Sequence, residues 1–210
     1  MTGPTPAFWQ ARFETNQTGW DRGAPGPRLL HWLDSGELRP CRIAVPGCGN
    51  GWDVGELASR GFDVIGLDYT PAAVERAQAH LRMLPATADG QPTRARIAQA
   101  DVLIWQPATP LDAVYEQTCL CALHPDQWTA YADQLWRWIR PGGQLRALFM
   151  QRLRANAMEE GRIEGPPYHC DINAMRALFP AQRWEWPAPP YAQVPHPNGG
   201  HELAVVLTRR

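Results

Sequence analysis

The sequence predicts an α/β protein: a mostly parallel sheet with helices on both faces, an antiparallel last strand, and a helical segment ahead of the first strand. Three observations predict it. Short apolar runs such as Ile43–Val45 and Phe62–Leu67 suit strands buried on both faces. They alternate with segments whose apolar residues recur at helical spacing, the pattern of a parallel sheet covered by helices. Near the C-terminus an Asn-Gly-Gly turn signal stands between two apolar runs, as an antiparallel hairpin requires.

Taken in order, residues 1–6 are expected to be disordered, and Ala7–Glu14 reads as a short helix with Phe8, Trp9 and Phe13 as its apolar positions. A Gly- and Pro-rich loop containing Trp20 and Asp21 leads to a second helix over Leu29–Leu33. The first strand is Ile43–Val45. Gly47, Gly49 and Gly51 follow at a spacing of two, and a helix over Asp53–Arg60 places Val54, Leu57 and Ala58 on one face. Gly61 stops it, Phe62–Leu67 is the second strand, and Asp68 lies at its carboxyl end. Pro71 opens a helix through about Leu81. A surface loop over 84–93 leads to the third strand, Arg94–Ala100, followed by Asp101 and Val102. Leu111–Tyr115 is the fourth strand, with Glu116 and Gln117 beyond it. A helix over Pro125–Ile139 carries a Trp128, Tyr131, Leu135, Trp138 stripe that reads as core, and Pro141-Gly142-Gly143 stops it. Gln144–Met150 is the fifth strand. A long connection holding Gly165-Pro166-Pro167-Tyr168-His169 precedes a helix over Asp171–Phe179. Gln182–Trp186 and His201–Thr208 are the sixth and seventh strands, joined as a hairpin.

The glycine turn and the acid after the second strand point to a nucleoside. In an open α/β sheet ligands lie beyond the carboxyl ends of the strands. Glycine lets the backbone approach a ligand, and a carboxylate there can accept hydrogen bonds from both hydroxyls of a ribose. A dinucleotide fingerprint is G-x-G-x-x-G; its third glycine would fall on Trp52, and no Lys-Ser/Thr for a phosphate loop follows. The G-x-G-x-G spacing instead resembles the first motif of class I S-adenosylmethionine methyltransferases, where the glycines accommodate the amino-acid part of the cofactor. Asp101 is placed to accept from an adenine amino group, or to act as a turn acid. The N-terminal aromatics read either as a lid over residues 1–40 with Trp9, Phe13 and Trp20 facing the cofactor, or as anchors of a helix. Aromatic faces attract a sulfonium by about 0.5–2 kcal/mol. Tyr168 and His169 stand either at the pocket mouth or in a rigid linker.

Composition narrows the partners. The 210 residues suit one domain over 1–210, and a net charge of −1 speaks against nucleic acid or an anionic membrane. No apolar run reaches the roughly 20 residues of a membrane span. Five scattered cysteines suit reduced thiols in a cytoplasm, and Cys119, Cys121 and His124 lack a fourth ligand at zinc spacing, so no metal is expected. The expected partner is a small-molecule acceptor, with a monomer as the default form.

Taken together, Trp9-x3-Phe13-x6-Trp20-Asp21, VPGCGNGWDV, GLD, QADVLIW, CAL-x-P and GPPY resemble the thiopurine S-methyltransferase family of class I S-adenosylmethionine methyltransferases. They resemble its halide and thiol methyltransferase branch more than the mammalian thiopurine enzymes. The resemblance implies a Rossmann-like fold and S-adenosylmethionine as cofactor. It implies a cofactor site of Trp9, Phe13, Trp20, Gly47, Gly49, Asp68, Asp101, Val102 and Gln117, with Tyr168 bordering the acceptor. Phe13 stands where the family commonly has tryptophan, and Gln117 where it has an aromatic residue or arginine, so acceptor preference is not carried over. The expected reaction is in-line methyl transfer to a soft nucleophile: a thiol, thiopurine, halide or selenium compound. Asp21 is the catalytic candidate beside Tyr168, and Asp53 and His169 are further possible bases. Methylation of a small-molecule oxygen or nitrogen, or cofactor binding without catalysis, are the alternatives.

Overall fold

The computed structural model describes residues 3–85, 94–154, 163–197 and 199–210. Most of the predicted 84–93 loop and residues 155–162 of the long connection lie outside that set.

Two helices precede the sheet. Helix α1 (Pro6–Glu14) starts on Pro6 and is capped by Thr5, whose side chain accepts from the Phe8 N–H at 3.3 Å. Helix α2 (Pro27–Asp34) also begins on proline and buries Leu29, Trp32 and Leu33. Then follow β1 (Arg42–Pro46), α3 (Trp52–Ser59), β2 (Asp63–Asp68), α4 (Pro71–Arg82), β3 (Ala95–Gln99), β4 (Leu111–Gln117), α5 (Cys119–Ala122), α6 (Trp128–Trp138), β5 (Ile139–Gln151), α7 (Ile172–Leu178), β6 (Trp184–Glu185), β7 (Ala192–Pro195) and β8 (His201–Arg209). The strand order is β3-β2-β1-β4-β5-β8-β6, with β7 also on β8. The first five strands are mutually parallel, and β8 runs antiparallel to β5, β6 and β7. The expected mostly parallel sheet with an antiparallel last strand is therefore present.

Alternation along each strand feeds two cores, because successive side chains point to opposite faces. Ala44, Ile65, Val114 and Leu145 join α6, α7 and Trp184 on one face. Ile43, Val45, Val64, Ala113 and Tyr115 join α2 and α3 on the other. Trp32, Trp138 and Trp184 are fully buried, one in the second core and two in the first.

Three details differ from expectation. Among the described residues eight strands form rather than seven, because β8 is long enough to hold β7 at one end and β6 at the other. The predicted 182–186 strand shrinks to two residues. Pro187, Pro189 and Pro190 follow it, and proline cannot donate to a ladder, so pairing resumes only at Ala192. The hairpin that turns through Gly199 and Gly200 is thus β7–β8. Finally, the helix predicted from Pro125 begins as a 3₁₀ turn over Pro125–Gln127. Pro141-Gly142-Gly143 lies inside β5 as a register shift: Leu111 pairs with Ile139 but Ala113 with Gln144.

Candidate active site

The carboxyl ends of β1, β2, β4 and β5 open onto one cavity of about 350 Å³. Its first wall is the glycine turn. Gly47, Gly49 and Gly51 have φ of +61°, +53° and +80°, a region disfavoured for residues with a Cβ. The turn is tied down by Cys48 N donating to Leu67 O and Gly51 N to Cys48 O, both at 2.9 Å. Asp68 closes the second wall. One carboxylate oxygen accepts from Gly49 N at 3.1 Å; the other accepts from Thr70 N at 3.0 Å and from Thr70 Oγ1 at 2.7 Å. Burial raises the Asp68 carboxyl, and those three donors oppose the rise. Asp101 and Val102 continue the wall beyond β3. Asp101 Oδ1 also accepts from Leu103 N at 2.9 Å, so the acid serves the turn as well as the cavity.

The N-terminal segment covers this opening. Trp9, Phe13 and Trp20 line the cavity and pack edge to face, with Trp9–Trp20 centroids 5.3 Å apart and Phe13–Trp20 centroids 5.9 Å apart. Attachments to several elements hold the segment. On α4, Ala72 N donates to Gln10 Oε1 at 3.1 Å, and Arg76 donates to the Phe13 carbonyl. On the glycine turn and α3, Asn50 and Trp52 Nε1 both donate to Asp21, the latter at 2.9 Å. On the C-terminal hairpin, Arg22 Nη2 donates to Pro195 O at 2.6 Å.

Beside the main cavity lies a smaller one of about 70 Å³, lined by Asp21, Asn50, Asp53, Tyr115 and Gln117 among others. Gln117 is fixed at both ends of its amide: Tyr115 OH donates to its oxygen at 2.5 Å, and its nitrogen donates to Glu202 Oε2 at 2.7 Å. Burial pushes Asp53 up to about 6, Glu116 to about 7 and Glu202 to about 8.

These buried acids make stability fall as pH rises. Unfolded, a glutamic acid ionises near pH 4.3; folded, Glu202 keeps its proton to about pH 8. Between these values the native state binds more protons than the unfolded chain, so raising the pH favours unfolding. Histidines held down by burial, such as His196 and His169, act in the opposite direction, but only below their unfolded pKa of about 6.5. Urea denaturation is expected to lose about 1 kcal/mol between pH 7 and 8, and Glu202→Gln to remove most of that slope. An unchanged slope in the variant would reject this assignment.

Comparison with known proteins decides the family. Residues 4–206 match the model described as thiopurine S-methyltransferase (TPMT). The chain belongs to that family. Among its relatives, probable thiol methyltransferase 2 of Arabidopsis thaliana is 32% identical over 173 residues, covering 82% of this chain and 71% of that protein. The thiopurine S-methyltransferase of Xanthobacter autotrophicus is 31% identical over 186 residues, covering 84% of each. The fold also resembles that of the Burkholderia thailandensis 1,6-didemethyltoxoflavin N1-methyltransferase, crystallised with S-adenosylhomocysteine. The TM-score is 0.71 at 18% identity, over 98% of this chain and 86% of that one.

This member of the thiopurine S-methyltransferase family is an S-adenosylmethionine-dependent methyltransferase, and its cavity fits that cofactor. A Cβ on Gly47 would stand 3.1 Å from Cys119 Cβ at a φ of +61°, so a side chain there would crowd the turn and strain its backbone. A buried carboxylate on the next strand and an aromatic cover complete the cavity. Of the residues expected at the cofactor, Trp9, Phe13, Trp20, Gly47, Gly49, Asp68, Asp101 and Val102 line the main cavity. Gln117 and Asp21 line the smaller one instead. Tyr168 does not line either cavity. It is buried and stacks edge to face on His124 at 5.4 Å, while the preceding Pro166 and Pro167 form the wall. His169 also lies outside both linings. Cys119 and Cys121 are buried thiols on the cavity wall. Sequence reasoning missed Arg152, Arg154 and His196, which line the same cavity. The first two had a signal, since they directly follow a predicted strand's carboxyl end.

Proposed function

We propose that this enzyme transfers the methyl group of S-adenosylmethionine to the sulfur of a small acceptor, a thiol or thiopurine, with thiocyanate and halides as related soft nucleophiles. The observation that carries the reading is the continuous cavity. Its lining brings together Asp68 and Asp101, the indole and phenyl cover of Trp9, Phe13 and Trp20, and Thr118, Met150 and Arg152 at the carboxyl ends of β4 and β5. The relatives' printed activities, a probable thiol methyltransferase and a thiopurine S-methyltransferase, support sulfur as the target.

S-Adenosylmethionine supplies a methyl group activated by its sulfonium. Asp68 would hold the ribose and Asp101 with Val102 the adenine, while Gly47 and Gly49 leave room for the amino-acid end. Trp9, Phe13 and Trp20 act as a lid that excludes water and offers ring faces to the positive sulfur. Pro166, Pro167 and Met150 border the side from which an acceptor approaches. Positioning supplies much of the acceleration when reacting atoms are held about 3–3.5 Å apart. The cytoplasm is the expected compartment: all five cysteines are unpaired in the fold, which suits a reducing environment. The net charge of −1 supports a small-molecule acceptor rather than nucleic acid.

The test is an acceptor panel. Purified protein with S-adenosylmethionine is expected to form S-adenosylhomocysteine with aryl thiols, alkyl thiols or thiopurines. Turnover confined to phenols or amines would replace the reading with O- or N-methylation. No turnover across thiols, thiopurines, thiocyanate, iodide and selenium compounds would defeat it.

A further inference from the structure

The cavity lining joins an apolar set to a few charges. Ala122, Leu123, Met150, Pro166 and Pro167 are apolar and come from α5, β5 and the segments after them. The carboxylates are Asp68, which ends β2, and Asp101 beyond β3. Arg154 lies three residues beyond the last residue of β5. In the sheet β3 and β5 are separated by β2, β1 and β4, four strand spacings of about 4.8 Å each. The cation and the two acids therefore reach the cavity from different sides of the sheet.

Arg154 is fixed on the proline wall. Its Nη2 donates to Pro166 O at 2.6 Å, and Pro166 and Pro167 both line the cavity. The Tyr168 phenol is raised by burial and lowered by Arg154, which places the positive charge beside the same segment. The Nε of Arg154 is out of solvent and has no hydrogen-bond partner among the described residues. A carbonyl carries no net charge, so the bond to Pro166 leaves the guanidinium charge without a counter-ion. Arg42, Arg60, Arg140 and Arg183 differ: each has an aspartate oxygen at 2.5–3.6 Å. A guanidinium has five N–H donors and is matched by a carboxylate in shape and charge. A half-buried cation with donors to spare, on a cavity wall, is a receptor for an anion.

We propose that Arg154 selects the acceptor: it binds the carboxylate of a thiol that carries an acid on a flat apolar body, as in a mercaptobenzoate. The proposal rests on the methyl-transfer reading above. In that reading Asp68 and Asp101 serve the nucleoside, and the amino-acid end of the cofactor lies at the glycine turn after β1. Two strand spacings separate β1 from β5, so the cofactor's own carboxylate is not the anion at Arg154. The proline rings, Met150 and Leu123 receive the apolar body, and its sulfur points toward the sulfonium. The acid stands away from the reacting sulfur. It is bound equally well before and during methyl transfer, so its effect falls on KM rather than on kcat.

The test is a matched pair of acceptors, meta-mercaptobenzoate and its carboxamide, assayed at a pH where both thiols are ionised. Only the remote group then differs in charge. The wild type is expected to favour the acid about 30-fold in kcat/KM, chiefly through KM, the scale of a hydrogen bond to a charged group. In Arg154→Gln the acid-to-amide ratio is expected to fall to about 1, and in Arg154→Lys, which keeps the charge without the fork, to about 10. Calorimetry is expected to give Arg154→Gln an S-adenosylhomocysteine Kd within about threefold of wild type. A wild-type ratio below about 3 would overturn the proposal, and that measurement needs no variant to fold. A ratio that survives in Arg154→Gln would also overturn it. So would a loss of about tenfold or more in S-adenosylhomocysteine affinity, which would give the guanidinium to the cofactor. Absence of turnover with every acceptor, acidic or neutral, would instead overturn the methyl-transfer reading.

Discussion

Asp68→Ala is expected to weaken S-adenosylhomocysteine binding about 100-fold, measured by titration calorimetry. Two effects combine. In the binding mode proposed above the ribose loses a charged acceptor, and hydrogen bonds to charged groups contribute about 1.5–3 kcal/mol. In addition, Gly49 N, Thr70 N and Thr70 Oγ1, all now satisfied by this carboxylate, lose their partner. Gly49 sits in the turn that must stay open, so the second loss loosens the first wall of the site as well. A total near 3 kcal/mol corresponds to slightly more than 100-fold. Asp68→Asn should recover little, since its amide nitrogen must face a backbone or hydroxyl donor on one side. Affinity within threefold of wild type would remove Asp68 from the ribose.

Gly51→Ala is expected to cost about 3 kcal/mol of stability by urea denaturation, against about 1 kcal/mol for Gly61→Ala. Both glycines have positive φ, +80° and +84°, so both substitutions bear the left-handed strain of about 1–2 kcal/mol. Only at Gly51 does the new Cβ meet anything. It would stand 2.9 Å from Ala77 Cβ and 3.1 Å from Ala77 Cα, whereas nothing lies within 4 Å of a Cβ at Gly61. Ala77 Cα is backbone of α4 and cannot swing aside, so α3 and α4 must separate, and overpacking of that kind costs about 1–3 kcal/mol. Equal losses at the two sites would mean that the helices accommodate the methyl group and that strain alone matters.

Gly51 also explains why the fold was legible here. Its left-handed conformation turns the chain from strand to helix, and α3 starts at once on Trp52. That tryptophan, which excluded a dinucleotide fingerprint, donates to Asp21 and stacks on His80 at 4.5 Å, fastening the covering loop. The glycine spacing, the apolar strands and the acid after β2 all act within a few residues, so local chemistry specifies them. The tryptophan stripe of α6 was equally readable: Tyr131, Leu135 and Trp138 are buried in the first core.

Tyr168 shows where local reading stops. The paired prolines were correctly singled out, and Pro166 and Pro167 do line the cavity. The direction of the next side chain depends on where His124 lies in space. Tyr168 N donates to Cys121 O at 2.7 Å, and the ring packs edge to face on His124 rather than on the lining. Gln117 is a second case: tied between Tyr115 and Glu202, it faces the smaller cavity.

By itself the sequence determined the order of strands and helices, the glycine turn and acid that line the main cavity, and the aromatic cover over it, because backbone freedom and hydrophobic period operate between near neighbours. The tertiary structure alone decided which residues from distant segments join that lining. Arg152 and His196 are 44 residues apart along the chain. They meet because β8 inserts antiparallel beside β5, which brings the turn before β8 to the carboxyl edge where β5 ends. No local propensity encodes that meeting; it follows from which edges remain for β8 to pair with once the parallel strands have assembled.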